Sequence, residues 1–146
     1  MQKAPVTITA IFFFWAGFVS SISFLEAWLK FQAPGVTLAT GLSIGKLVFT
    51  ALNRVEWLFL ALLTIHSILS FRKLPLRHFY LSAAVLMLLA VQTFWLLPEL
   101  SHRAEQIISG NTPGESMAHL LFGVAEVLKV ITLIYLGFLS ASRRSV

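Results

Sequence analysis

Four long apolar runs, each closed by charge or by a turn, constrain this chain more than any other feature. The first extends from Ile8 to Leu25 without a charge and ends in Glu26-Ala-Trp-Leu-Lys30. The second, Trp57 to Phe71, is preceded by Leu47 to Val55, with Asn53 and Arg54 inside that stretch. The third, Phe79 to Leu97, lies between Arg77-His78 and Pro98. The fourth, Met117 to Ala141, is followed by Arg143 and Arg144. About 20 mainly apolar residues carry a helix across the ~30 Å hydrocarbon layer of a bilayer. A helix can lie there because it satisfies its own backbone polar groups. The chain therefore reads as an all-α polytopic membrane protein, one domain built as a four-transmembrane-helix bundle. The expected helices cover about 7–32, 41–71, 77–97 and 113–142, with an extramembrane helical extension over about 99–109.

Composition points the same way. Of the 146 residues, 58% are hydrophobic and only 12% charged, too few charges to cover the surface of a soluble domain this small. The net charge of +5 sits at the ends of the apolar runs, where it anchors and orients helices. A nucleic-acid binder would need a basic stripe on a soluble face, so no nucleic-acid partner is expected. With no cysteine in the chain, disulfides, thiolate chemistry and iron–sulfur clusters are excluded.

Local signals place the boundaries. The first run is too long for a cleaved signal peptide and continues into Glu26, Trp28 and Lys30, so it is a retained helix that stops near Ala33-Pro34-Gly35. Nothing breaks a helix between 41 and 71. That is about 45 Å of helix, so its first part must project, tilt or lie at the interface. Pro98 bounds the third helix. Gly110-Asn111 makes a turn, and Thr112-Pro113-Gly114-Glu115 has the order of an N-cap, a first-turn proline and a capping-box glutamate.

With the N-terminus inside, the inner flanks hold Lys3, Arg72, Lys73, Arg77, Arg143 and Arg144 with no acid among them. The outer side holds Lys30, Lys46, Arg54 and Arg103, diluted by acids. That asymmetry puts both termini in the cytoplasm of a cell-membrane protein. Trp28, Trp57 and Trp95 then fall near the outer boundary, and Trp15 falls mid-membrane as a packing residue.

The polar residues within the spans carry the functional question, since each ionisable group there costs about 2.5–3.5 kcal/mol on insertion scales. Counting about twenty residues outward from each cytoplasmic end brings polar groups of all four helices to the outer third. Glu26, Glu56, Glu126 and Lys129, with Arg54, Gln92 and His119 nearby, are expected to converge there. Ser23, Glu26 and Lys30 share one helical face, as do Lys46, Asn53 and Glu56, and His119, Glu126 and Lys129. Pairing of the glutamates with Lys30, Arg54 and Lys129 would give a nearly neutral chamber open to the outside. Two readings of it stand: self-satisfied ion pairs, or a site for an ion, a small solute or a lipid headgroup.

No cofactor or metal is expected. His66 and His119 lie toward opposite sides of the membrane, so one haem cannot bridge them. His66 is expected to be neutral and hydrogen-bonded, with Tyr80 or Tyr135 as partner. Met117-Ala-His119 reads as a helix start rather than a copper site, Gly41-x-x-x-Gly45 as local packing, and His78 and His102 as loop residues.

Several stretches resemble a known family. They are Phe14-Trp-Ala-Gly-Phe-Val-Ser-Ser in the opening helix, Trp95-Leu-Leu-Pro-Glu99 with the amphipathic stretch through Ile108, and Ala118-His119-Leu-Leu-Phe-Gly. They resemble the small four-helix membrane proteins related to eukaryotic transmembrane protein 205, a domain of unknown function in bacteria. The resemblance implies the four-helix fold and no reaction, and it transfers no catalytic residue.

Three functions compete. One is a binding or transport protein whose polar cluster holds an ion, solute or lipid headgroup; four helices are few for a transporter, so a homo-oligomer or a membrane-protein partner would complete the path. The second is an accessory subunit of a larger membrane complex. The third is a membrane enzyme using His119, Glu126 and Lys129 for acid–base work on a lipid-like substrate. The chain has no G-x-S-x-G, H-E-x-x-H or phosphate-cradling glycine loop, so the enzyme ranks last and no catalytic residue is assigned.

Overall fold

A computed structural model of the chain describes residues 4–69 and 75–142. Lys3, Arg72, Lys73, Arg143 and Arg144, most of the basic residues on which the expected orientation rests, lie outside the described residues, as does the expected end of the second helix at Phe71. Among the described residues, four helices are long and apolar enough to cross a membrane: α1 (Val6–Gln32), α2 (Leu38–Leu69), α3 (Leu76–Ile108) and α4 (Ala118–Ala141). They make an all-α bundle, as the apolar runs require.

The bundle is apolar outside and partly polar inside, the reverse of a soluble protein. Phe94, Phe14 and Leu47 are 77%, 72% and 72% exposed. Apolar surface on that scale belongs against lipid. The interior combines one apolar cluster with buried polar side chains. Phe12, Trp15, Ala16 and Val19 of α1 recur at helical spacing and meet Leu52 of α2, Val85 and Leu89 of α3, and Leu133 and Leu136 of α4. The closest partners are α1 and α4. Gly137 permits their approach, because a Cβ there would lie 2.9 Å from the Phe13 ring, which also meets Phe138 edge-on at 5.3 Å.

Three boundaries differ from those expected. α2 starts at Leu38 rather than near Gly41, because the Thr37 hydroxyl accepts the Thr40 N–H at 3.2 Å and caps the helix. The third helix does not stop at Pro98; α3 continues to Ile108. A π-helical turn, Gln92–Leu96, precedes the proline, and the Leu97 N–H reaches back to the Gln92 carbonyl. The wide turn lets a residue without an N–H follow while the helix holds. α3 then ends in a Schellman motif: the Gly110 N–H bonds Ile107 O at 3.0 Å and the Asn111 N–H bonds Gln106 O at 2.9 Å, with Gly110 at φ +84°. Finally, Thr112 to Glu115 form no capping box. α4 begins at Ala118, whose N–H bonds the Ser116 hydroxyl at 3.1 Å, while the Gly114 carbonyl accepts from Arg103 of α3.

α1 has its own π turn, Ser21–Glu26, in which the Ala27 N–H bonds Ile22 O. Its last turn lies on the start of α2. Gly41 leaves room for the Phe31 ring, and a Cβ at Gly45 would lie 2.9 Å from Lys30 Nζ. The Gly41-x-x-x-Gly45 pair is thus a local packing seat for Lys30 and Phe31.

Candidate functional site

Lys129 is the hub of a buried polar cluster assembled from all four helices. Its ammonium lies 2.5 Å from Glu56 Oε1 of α2, 2.6 Å from Gln92 Oε1 of α3 and 2.9 Å from Glu126 Oε1 of α4 itself. Two of these contacts are hydrogen bonds, to Gln92 and Glu126, and the third is an ion pair with Glu56. Around the hub, Gln92 Nε2 donates to Glu126 Oε1 at 2.5 Å. From α1, the Ser23 hydroxyl donates to Glu126 Oε2 at 2.8 Å and the Trp15 indole N–H to Glu56 Oε1 at 3.0 Å. Glu56, Gln92, Glu126 and Lys129 are 2%, 1%, 0% and 0% exposed. Such burial is tolerable only because each group is paired.

Both π turns lie at this cluster. Gln92 opens one and Ser23 lies within the other. A π turn shifts every later side chain around the helix relative to regular α geometry. In α1 that shift separates residues that regular spacing would put on one face. Ser23 turns inward to Glu126, whereas Glu26 pairs with Lys30 at 3.2 Å.

Of the residues expected to converge, Glu56, Gln92, Glu126 and Lys129 do so. Glu26 stays with Lys30 on its own helix. Arg54 is exposed, because it sits two positions from both Leu52 and Glu56, which are buried, and so about 200° around α2 from that face. His119 is exposed in the first turn of α4, seven residues before Glu126 and about 10 Å along the axis. The expected nearly neutral, open chamber is therefore corrected on both counts. Without Lys30 and Arg54, two carboxylates face one ammonium, and the four side chains are sealed from solvent. The open grooves along α1 at Phe13, Phe14, Gly17, Phe18 and Ser21, and at Glu115 to Met117, share no residue with it.

Sequence reasoning missed the part of Trp15 as a donor. A buried tryptophan N–H normally finds an acceptor, so a mid-membrane Trp among glutamates was a usable signal. Ser23 was placed on the wrong neighbours, since nothing in the letters marks the π turn.

Other polar contacts tie helix pairs together. Asn53 Nδ2 and Trp57 Nε1 of α2 both donate to Thr93 Oγ1 of α3, at 2.9 and 3.0 Å. Trp57 is thus partly buried against α3. Lys46 pairs with Glu105, and Glu99 with Arg103 at 3.7 Å. His78 is a buried helical residue, not a loop residue. His66 Nε2 is buried without the expected partner, because Tyr80 and Tyr135 point outward, 65% and 51% exposed. Among the described residues no group of three or more His, Cys, Asp or Glu side chains is placed to hold a metal ion.

No protein-family model, curated protein or solved structure matches the chain.

Proposed function

We propose that this membrane protein binds a small cation at the Glu56–Gln92–Glu126–Lys129 cluster, in a binding or transport role. One observation carries the reading: two carboxylates and one ammonium share a core site that is 0–2% exposed. Fully ionised, the three groups leave one negative charge uncompensated. Burying such a charge costs several kcal/mol, so a counter-cation is favoured there. A solute or a lipid headgroup fits less well. It would need free donors and acceptors, and those of the cluster are largely spent on one another.

The orientation proposed with this reading has both termini in the cytoplasm, supported by the acid-free basic flanks of the sequence. Cysteines introduced at the exposed Ser109 and Ser142 test it cleanly, because the chain has none of its own. An impermeant maleimide should label position 109 in whole cells and spare position 142; the reverse labelling would overturn it. Kinship with the proteins related to transmembrane protein 205 is proposed on the motifs above and adds no activity.

Thermal unfolding in nanodiscs, across pH and across lithium, sodium and potassium at fixed ionic strength, tests the cation site. The melting temperature of the wild type should respond to pH or to one of these ions, and the response should be lost in Glu56→Gln. A wild type indifferent to all of them would remove the ion site. It would leave the accessory-subunit reading, whose mark is a stably co-purifying membrane protein.

A further inference from the structure

We infer that the ion of this cluster is a proton, held on the Glu56–Glu126 pair; the inference rests on the cation-site reading above. It starts from what already occupies the centre. Three oxygens, Glu56 Oε1, Gln92 Oε1 and Glu126 Oε1, converge on one point at 2.5–2.9 Å. A bare alkali ion would seek such a point. Lys129 Nζ fills it, and the lysine is tethered to α4, so the coordination centre has a permanent occupant.

The excess negative charge remains after that occupant is counted, and nearby cations do not cancel it. On α1, Lys30 is spent on Glu26 and lies over the Phe31 and Phe49 rings, each 5.6 Å away. On α2, Arg54 faces outward and Lys46 pairs with Glu105. On α3, Arg103 engages Glu99 and the Gly114 carbonyl, and His102 is exposed; on α4, His119 is exposed. The remaining ionisable groups of these helices are His66, Arg77, His78 and the exposed Tyr80 and Tyr135. His66, Arg77, His78 and Tyr80 lie ten or more residues from the cluster along their own helices, about 15 Å or more, and Tyr135 faces outward.

A proton is the one cation that needs no coordination shell. It adds to a carboxylate oxygen, the carboxylate becomes a neutral acid, and charge balances with no redox partner. The bonds also nominate the oxygen. Glu126 is engaged on both, by Gln92 and Lys129 at Oε1 and by Ser23 at Oε2. Glu56 receives Trp15 and Lys129 on Oε1, and among the described residues no hydrogen bond reaches its Oε2. A proton on Glu56 Oε2 leaves Lys129 and Glu126 as a matched ion pair, and the core is then neutral.

The chain suits a direct test, because all six of its acidic residues are glutamate. Protein labelled with carboxyl-¹³C glutamate and held in nanodiscs should show one side-chain carboxyl in the acid form at neutral pH and the rest ionised. Glu56→Gln should remove that one signal, and Glu26→Gln should leave it. The wild-type spectrum alone is decisive if Glu56→Gln fails to fold. All six carboxyls ionised would overturn the proton. In that event, a shift of the Glu56 or Glu126 signal on adding lithium, sodium or potassium would keep the cation site with a different ion. No response to those ions would end both readings.

Discussion

Lys129 and Lys30 each pair with a glutamate one turn earlier on the same helix, yet the two pairs belong to different environments. Lys30 meets Glu26 at 3.2 Å, with the carboxylate partly open, and its other neighbours are aromatic faces. One base meets one acid, and the pair closes on itself. Lys129 meets Glu126 at 2.9 Å, but α2 and α3 add Glu56 and Gln92 to the same ammonium. That pair is fully buried and carries a second carboxylate. The local pattern is nearly identical in the sequence. The opposing helices supply the difference, so the same motif serves as a boundary clasp in one place and as a charged core in the other.

Substitutions sharpen this contrast, and the largest effect is expected at the hub. Lys129→Met removes the only ammonium from two buried carboxylates and should cost about 3–5 kcal/mol in detergent unfolding. Glu126→Ala should cost less, because it leaves Glu56 and Lys129 as a matched pair. A Glu126→Ala variant as unstable as Lys129→Met would break the picture of an excess carboxylate.

An intermediate effect is expected at Trp15. Trp15→Phe keeps an aromatic ring stacked near Phe59, 5.8 Å from centroid to centroid in the native protein, and removes the N–H that Glu56 accepts. The loss of a hydrogen bond to a charged group should cost about 1.5–3 kcal/mol, read as a fall in melting temperature. No change would mean that Glu56 does not depend on α1.

The smallest effect belongs to the clasp. Glu26→Gln should change stability by only about 0.2–1 kcal/mol, and less still at high salt, as for an ion pair near solvent. A loss as large as that of Lys129→Met would erase the distinction between the two lysines.

Much of this architecture is legible in the sequence. Hydropathy and length alone define four helices, because lipid imposes a simple rule on backbone and side chains. The depth count brought Glu56, Gln92, Glu126 and Lys129 to one level, and burial cost explains why they meet. The rest depended on geometry that residue spacing does not encode. The π turn at Ser21–Glu26 separates Ser23 from Glu26, and the one at Gln92–Leu96 carries α3 through Pro98. Depth also says nothing about direction around a helix: Arg54 lies near the right level and on the wrong face. At the start of α4, the Ser116 hydroxyl holds the first turn where a capping box was expected.

Lys129 balances the buried carboxylates, and a double-substitution cycle measures that balance. Unfolding of Lys129→Met, Glu126→Gln and the combined variant should show strong coupling. Adding Glu126→Gln to Lys129→Met should restore about 1–3 kcal/mol, because it removes a carboxylate that has lost its counter-charge. A combined variant less stable than Lys129→Met, with the two losses simply adding, would mean that Lys129 is not the counter-charge of Glu126.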